Sequence, residues 1–251
     1  MILAALSLFL AVMSSADALE ILLNSKTSVA AEIYAAARKQ VEREAACGSP
    51  LQQYVIGITT KDKVLAEKYL AATRTKVVEL AERRNNAMAW YLLSVERNDI
   101  DMLRKAARGG NVQALNSLGT ISTAAVLRDG KSMSSNQVAR ILGESYRCFR
   151  EAAKKKDPNG LINLGTCYSR GLGCEQDLTM AFACFRAAAE AGHPEGMDNV
   201  SACYQFGHGV KKDDELCLLW AMRGRALRGD KAAAKWLKER EERENEDPDD
   251  R

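Results

Sequence analysis

Proline is scarce in this chain, four residues in 251, and aromatic side chains make up only 6% of it. Together with frequent alanine, these shortages favour helix over strand. Histidine occurs twice, which excludes a His-rich metal site or a multi-histidine catalytic apparatus. An excess of one charge is also missing. The 36 Lys and Arg stand against 33 Asp and Glu, a formal charge of +3, so there is no electrostatic case for nucleic acid as a partner. The seven cysteines form no CxxC pair and signal neither a zinc site nor a fully paired disulfide framework. No phosphate loop, GxSxG elbow or HExxH motif occurs, and with no nucleophile–base constellation the chain reads as a non-enzyme without cofactor or metal.

What is present begins with an apolar leader. Ile2 to Met13 is interrupted only by Ser7, and Ala16-Asp17-Ala18 supplies a small-residue site before Leu19. The run is too short to span a bilayer. Its shape is that of a secretory signal peptide over residues 1–18, although no Lys or Arg precedes it. The expectation is therefore export, periplasmic or secreted, with no stable membrane insertion once the leader is cleaved. The alternative is an N-terminal amphipathic helix continuing through Leu19, Ile21, Leu22 and Leu23, which would leave the protein cytoplasmic.

Residues 19–84 read as a helical region. Val29, Ile33, Ala37 and Val41 share one helical face, and Cys47-Gly48-Ser49-Pro50 ends that helix. Tyr54 to Ile58 is expected to be a short apolar linker that could be extended. A second helix from Asp62 carries Ala66, Leu70, Thr73, Val77 and Leu80 and closes at Arg83-Arg84-Asn85-Asn86.

From there the chain resembles itself. Pro158-Asn159-Gly160-Leu161-Ile162-Asn163-Leu164-Gly165 aligns with Pro194-Glu195-Gly196-Met197-Asp198-Asn199-Val200-Ser201 at an offset of 36 residues. The register continues through Cys167/Cys203, Tyr168/Tyr204, Gly171/Gly207, Gly173/Gly209, Asp177/Asp213 and Cys184/Trp220. Backwards, Cys148-Phe149 matches Cys184-Phe185. The corresponding first helix, Val112 to Gly119, is displaced by 46 residues, so ten extra residues are expected in a loop around Arg128 to Asn136. A degenerate unit precedes it over Ala87 to Gly110. Self-similarity at this period is the signature of a helical solenoid, each hairpin burying its face against its neighbours.

Within a unit, Gly165 permits close backbone approach beside Leu164 and Tyr168. Gly171 and Gly173 allow a tight turn, and Asp177 can cap the second helix. Ala181, Cys184, Phe185 and Ala188 form the inward stripe. Residues 230–246, with Ala232, Ala233, Trp236 and Leu237 on one face, read as a capping helix, and 247–251 as a charged tail.

The run Leu164-Gly165-x-x-Tyr168-x-x-Gly171-x-Gly173 … Asp177 … Ala181 … Phe185 … Ala188-Ala189-x-x-Gly192-His193 resembles a Sel-1-like repeat (SLR), a relative of the tetratricopeptide repeat. The resemblance covers 85–229, with clear copies at 158–193 and 194–229 and two degenerate copies upstream. The second copy departs at Ser201, where glycine is expected, and at Gly224-Arg225, where an alanine pair is expected. The resemblance implies an all-α, α/α right-handed superhelix whose first helices line a concave face, and an adaptor or scaffold role without catalysis by the repeats.

On that implied face lie Asn163, Ser169 and Arg170, then Asp198, Asn199, Gln205 and Phe206. Asn163 and Asn199 share a repeat position where tetratricopeptide modules often hold a peptide backbone, and an amide can both donate and accept. The same residues could equally bridge helices or face water. The expected partner is another protein or a peptide. A regulatory subunit of an enzyme, such as one acting on the cell envelope, and an intracellular adaptor remain alternatives. The cysteines are expected to be mostly free and buried, since Trp220 and Ile121 replace them at equivalent positions. A Cys167–Cys184 bridge stays open if the chain is exported.

Overall fold

The computed structural model describes residues 38–246 apart from 40, 44, 47, 48 and 61. The signal-peptide segment, Val29, Ile33, Ala37 and the tail 247–251 lie outside the described residues. Every regular element among the described residues is a helix. They form two compact units that divide between Ala114 and Leu115.

In the first unit, Val41 and Ala45 are buried on helical turns. Helix α1 (Pro50–Thr59) follows, with its proline in the first turn, where the missing N–H costs nothing. Tyr54 to Ile58 is thus helical and not the extended linker expected from sequence. Tyr54, Val55, Ile56 and Gly57 are all buried. An apolar run wanted on every side gives no helical period to read.

Helix α2 (Lys63–Arg84) starts where Asp62 accepts from the Val64 and Leu65 amides and stops at Asn85, φ 47°. It buries Thr73, Val77 and Ala81. Helix α3 (Ala87–Arg97) buries Ala89 through Ser94 without a break. Helix α4 (Ile100–Arg108), capped by Asp99, places Lys105 over the Trp90 ring at 4.2 Å.

One polar cluster ties α1, α2 and α3 together. The fully buried Tyr54 donates its hydroxyl to Glu96, which also pairs with Arg74. Burial first, then the Glu96 bond, pushes the phenol far above its ordinary value. Glu96→Ala orphans that hydroxyl and should cost about 2 kcal/mol, with Tyr54→Phe costing less because no buried donor is stranded. Urea unfolding of the two variants measures the difference.

The second unit holds most of α5 (Val112–Asp129), a 3₁₀ turn (Gly130–Ser132) and α6 (Ser135–Lys154). After them come α7 (Pro158–Arg170), α8 (Leu178–Glu190), α9 (Pro194–Phe206), α10 (Asp214–Leu227) and α11 (Lys231–Glu246). The ten extra residues do not form a loop, contrary to the sequence reading. Compared with α7 and α8, α5 is five residues longer and α6 seven, while their connection is two shorter. Good helix formers and a Ser134/Gln137 capping box let the inserted sequence extend both helices. No residue from 120 to 144 is fully buried, and Ile121 is 47% exposed. Its alignment with the buried Cys167 therefore does not make it a packing position.

The repeat register explains the rest of the packing. Asp177 and Asp213 cap α8 and α10 by accepting from Met180 N at 2.9 Å and Leu216 N at 2.8 Å. Gly173 and Gly209 sit in the left-handed region at φ 74° and 73°. A Cβ there would lie 2.2 Å from the Leu142 carbonyl oxygen and 2.0 Å from that of Leu178. Each turn thus rests on the preceding repeat's second helix, Gly209 at the start of α8 and Gly173 about two turns into the lengthened α6.

Between the helices of a pair, a Cβ at Gly119 would strike the Phe149 ring at 2.5 Å and one at Gly165 the Phe185 ring at 2.6 Å. In the next copy both partners change together, to Ser201 and Ala221, and Ser201 Oγ donates to the Cys217 carbonyl at 2.9 Å. The serine that breaks the expected glycine pattern is accommodated because the facing ring is gone. The other departure, Gly224, lies with its would-be Cβ 3.0 Å from Asp198 Oδ1. An alanine there would crowd that carboxylate.

Candidate functional site

Helices α7 and α9 are the first helices of consecutive repeats, with α8 between and behind them. Ala181, Phe185 and Cys203 belong to the buried core. Where α7 and α9 diverge, a cleft of about 190 Å³ remains. Leu178, Ala181 and Phe185 floor it, α7 contributes Thr166, Ser169 and Arg170, and α9 contributes Asn199, Ala202 and Cys203. His208, from the turn after α9, lines it as well. Its turn is held there by the contact of Gly209 with Leu178.

Two hydroxyls in the cleft have already spent their protons. Thr166 Oγ1 donates to the Ile162 carbonyl at 3.0 Å and Ser169 Oγ to the Thr166 carbonyl at 3.1 Å. What they offer a visitor is lone pairs. Asn199 is half-buried and its amide has no partner among the described residues. Arg170 is exposed and carries no ion pair among the described residues.

The cleft brings together Ser169, Arg170 and Asn199 of the seven residues singled out from sequence. Asn163 holds the equivalent place to Asn199 one repeat earlier and is half-buried. Gln205 and Phe206 occupy the places of Ser169 and Arg170 one repeat later. Both are exposed, and Phe206 packs on the His208 ring with centroids 5.6 Å apart. Asp198 stands apart, paired with Arg228 just past the end of α10. Sequence reasoning gives His208 no role. Its place in the cleft could have been inferred only from the glycine that follows it.

His193 has a separate environment. Asn111 and Asp157, at equivalent positions, cap their helices by accepting from Ala114 N at 2.8 Å and Gly160 N at 2.6 Å. Asn116 also donates to Asp157 at 2.7 Å. At His193 the residue equivalent to Asn116 is Ile162, and the buried Nδ1 has no partner among the described residues. Burial lowers its pKa from the usual 6.5, against the raising influence of Glu195 and Asp157. The unfolded chain therefore takes up this proton at a higher pH than the folded one. Stability present above pH 6.5 is lost as pH falls toward the lowered folded value. His193→Asn should be flat between pH 7.5 and 5.5 where the parent declines, as followed by denaturant unfolding at each pH.

The chemistry of the remaining groups is subdued. Cys148, Cys167, Cys174, Cys184, Cys203 and Cys217 are free, so the described Cys167 and Cys184 are not bridged. Burial, with Cys174 adding, pushes Cys167 up to about 12. Burial pushes Cys184 up to about 11. Thiols held this protonated are poor nucleophiles. No group of His, Cys, Asp and Glu among the described residues could hold a metal ion, and no described helix is long and apolar enough to cross a membrane.

Comparison with known proteins identifies the architecture. The Sel1 repeat family matches residues 158–193 and 194–221, all of the first clear copy found above and the greater part of the second. The chain carries two Sel1 repeats. Its fold is similar to that of a protective antigen present in uropathogenic Escherichia coli strains that displays an SLR fold. The likeness has a TM-score of 0.52 at 20% identity, over 80% of this chain and 45% of that one. The chain thus spans under half the length of that relative. A Sel1 repeat protein from Oxalobacter formigenes is also similar, with a TM-score of 0.42 at 24% identity over 51% of this chain and 90% of that one. No curated protein matches the sequence. Sel1 repeat proteins generally act as protein-interaction scaffolds, and the solenoid itself is generally non-catalytic.

Proposed function

We propose that this protein is a non-catalytic scaffold that binds a segment of another protein along the first helices of its second unit. The observation that carries the reading is the cleft between α7 and α9, where Asn199 has no partner among the described residues and Ser169 and Thr166 present acceptors above an apolar floor. Such a surface complements an extended peptide, whose backbone offers alternating donors and acceptors. Asn163 repeats the amide one unit earlier. At about 190 Å³ the cleft is smaller than a typical small-molecule pocket of about 300–1,000 Å³ and suits one side chain of a polymer.

The apolar leader supports export, and the reading places the protein outside the cytoplasm. Mass analysis of the native protein should then find its N-terminus at or near Leu19; an intact Met1 would make it an intracellular adaptor instead. Binding is tested by replacing Phe206 or Ile121 with benzoylphenylalanine in the native cell. A discrete protein adduct is expected from position 206 and only background from 121. Adducts of equal yield from both, or none from 206, would contradict the proposal.

A further inference from the structure

The cleft has a chemical preference written into it that the general scaffold reading leaves open. Arg170 is the only arginine or lysine in its lining. It is exposed, and Asn199 of α9 and His208 line the same cleft. The equivalent place one repeat earlier is Ala124, and the equivalent of His208 there is Leu172. One repeat later the place of Arg170 is Phe206. The amide is thus repeated, at Asn163 and Asn199, whereas the cation and imidazole occur at one level only. A repeated amide suits a feature common to every residue of a ligand, its backbone. A cation at one level suits a feature of a single residue.

Seven of the eleven described arginines of this unit pair with a carboxylate, among them Arg186 with Glu190, Arg225 with Asp230, Arg228 with Asp198, and Arg240 with Glu215. Arg170 is not engaged among the described residues, and no carboxylate lines the cleft. A guanidinium at the edge of a low-dielectric floor of Leu178 and Phe185 gains most from an anion that can take two parallel N–H bonds. The His208 imidazole and the Asn199 amide line the same cleft and can add N–H donors. The volume, about 190 Å³, is near that of cavities of about 150 Å³ that take a single benzene-sized group.

We infer that this cleft is a carboxylate-recognition subsite, taking one acidic residue of an extended peptide whose backbone is held by the flanking asparagines. The inference rests on the scaffold reading. The carboxylate could belong to an internal Glu or Asp or to a chain terminus, and the test separates these sources.

Random peptides displayed on phage are selected against the full chain, and one selected sequence is synthesised with a fluorophore. Selection should enrich Glu or Asp at one anchored position. Changing that residue to Gln, or amidating the C-terminus if the carboxylate is terminal, should weaken binding at least tenfold by fluorescence anisotropy. In Arg170→Gln the same change should matter less than twofold, and selection on Arg170→Glu should enrich Lys or Arg at the anchor. Arg170 is exposed, so these variants should unfold with the parent's midpoint. Peptides that bind this face with no acidic anchor would overturn the subsite and leave the scaffold reading standing. Failure to select any peptide would overturn both.

Discussion

Phe185→Ala should destabilise the second unit by about 3–4 kcal/mol, because removing a buried aromatic ring loses its transfer free energy and leaves a cavity that the helices fill only in part. Phe185 is 7% exposed and lies against Gly165, where a Cβ would stand 2.6 Å from the ring. Gly165→Ser alone should cost about 2 kcal/mol by overpacking. The protein already contains the outcome of making both changes, since Ser201 and Ala221 occupy these two places in the next repeat. The double variant should therefore be more stable than the sum of the single effects predicts, by at least about 1 kcal/mol, the scale of coupling between contacting residues. Chemical denaturation of the four proteins completes the cycle. Strict additivity would mean that the glycine and the ring are not matched to each other.

Gly209→Ala should be comparably damaging for a different reason. At φ 73° an L side chain bears about 1–2 kcal/mol of left-handed strain. Its Cβ would also lie 2.0 Å from the Leu178 carbonyl oxygen, and relieving a backbone clash adds about 1–3 kcal/mol. A loss of about 3 kcal/mol is expected. Gly192 separates the two contributions, being also left-handed at φ 82° but with nothing within 4 Å of where a Cβ would stand. Gly192→Ala should lose only the strain. Equal thermal shifts for the two variants would show that the turn does not rest on the preceding repeat. Because the Gly209 contact also seats His208, the larger effect reaches the candidate cleft as well.

Much of this was legible in the chain. A period of 36 residues requires each hairpin to meet its neighbour in the same way, so the caps at Asp177 and Asp213, the glycine turns and the inward stripe through Ala188 follow from one alignment. Tyr54 to Ile58 was not legible, because a short run buried on all sides has no period. Nor was the destination of the ten inserted residues, which depends on whether two helices can lengthen together without a core to cover them. Within the site, spacing placed Ser169, Arg170 and Asn199 on neighbouring helices and the structure brings them to one cleft. Asp198 is drawn elsewhere by Arg228, 30 residues away, a pairing no local pattern encodes. The odd cysteines and the two histidines differ in what they keep. The described, buried thiols and His193 are held in their neutral forms by the packing around them, whereas His208 faces the cleft.

Everything proposed for this protein turns on whether the cleft between α7 and α9 is where a peptide sits. The most direct measurement is amide chemical-shift mapping by NMR on the full chain, titrated with a peptide carrying one glutamate. Saturable shifts are expected at Thr166, Ser169, Arg170, Asn199 and His208, lost when the glutamate is replaced by glutamine. Shifts confined to residues 120–144, or spread evenly over the helices with no saturation, would contradict a peptide site in this cleft.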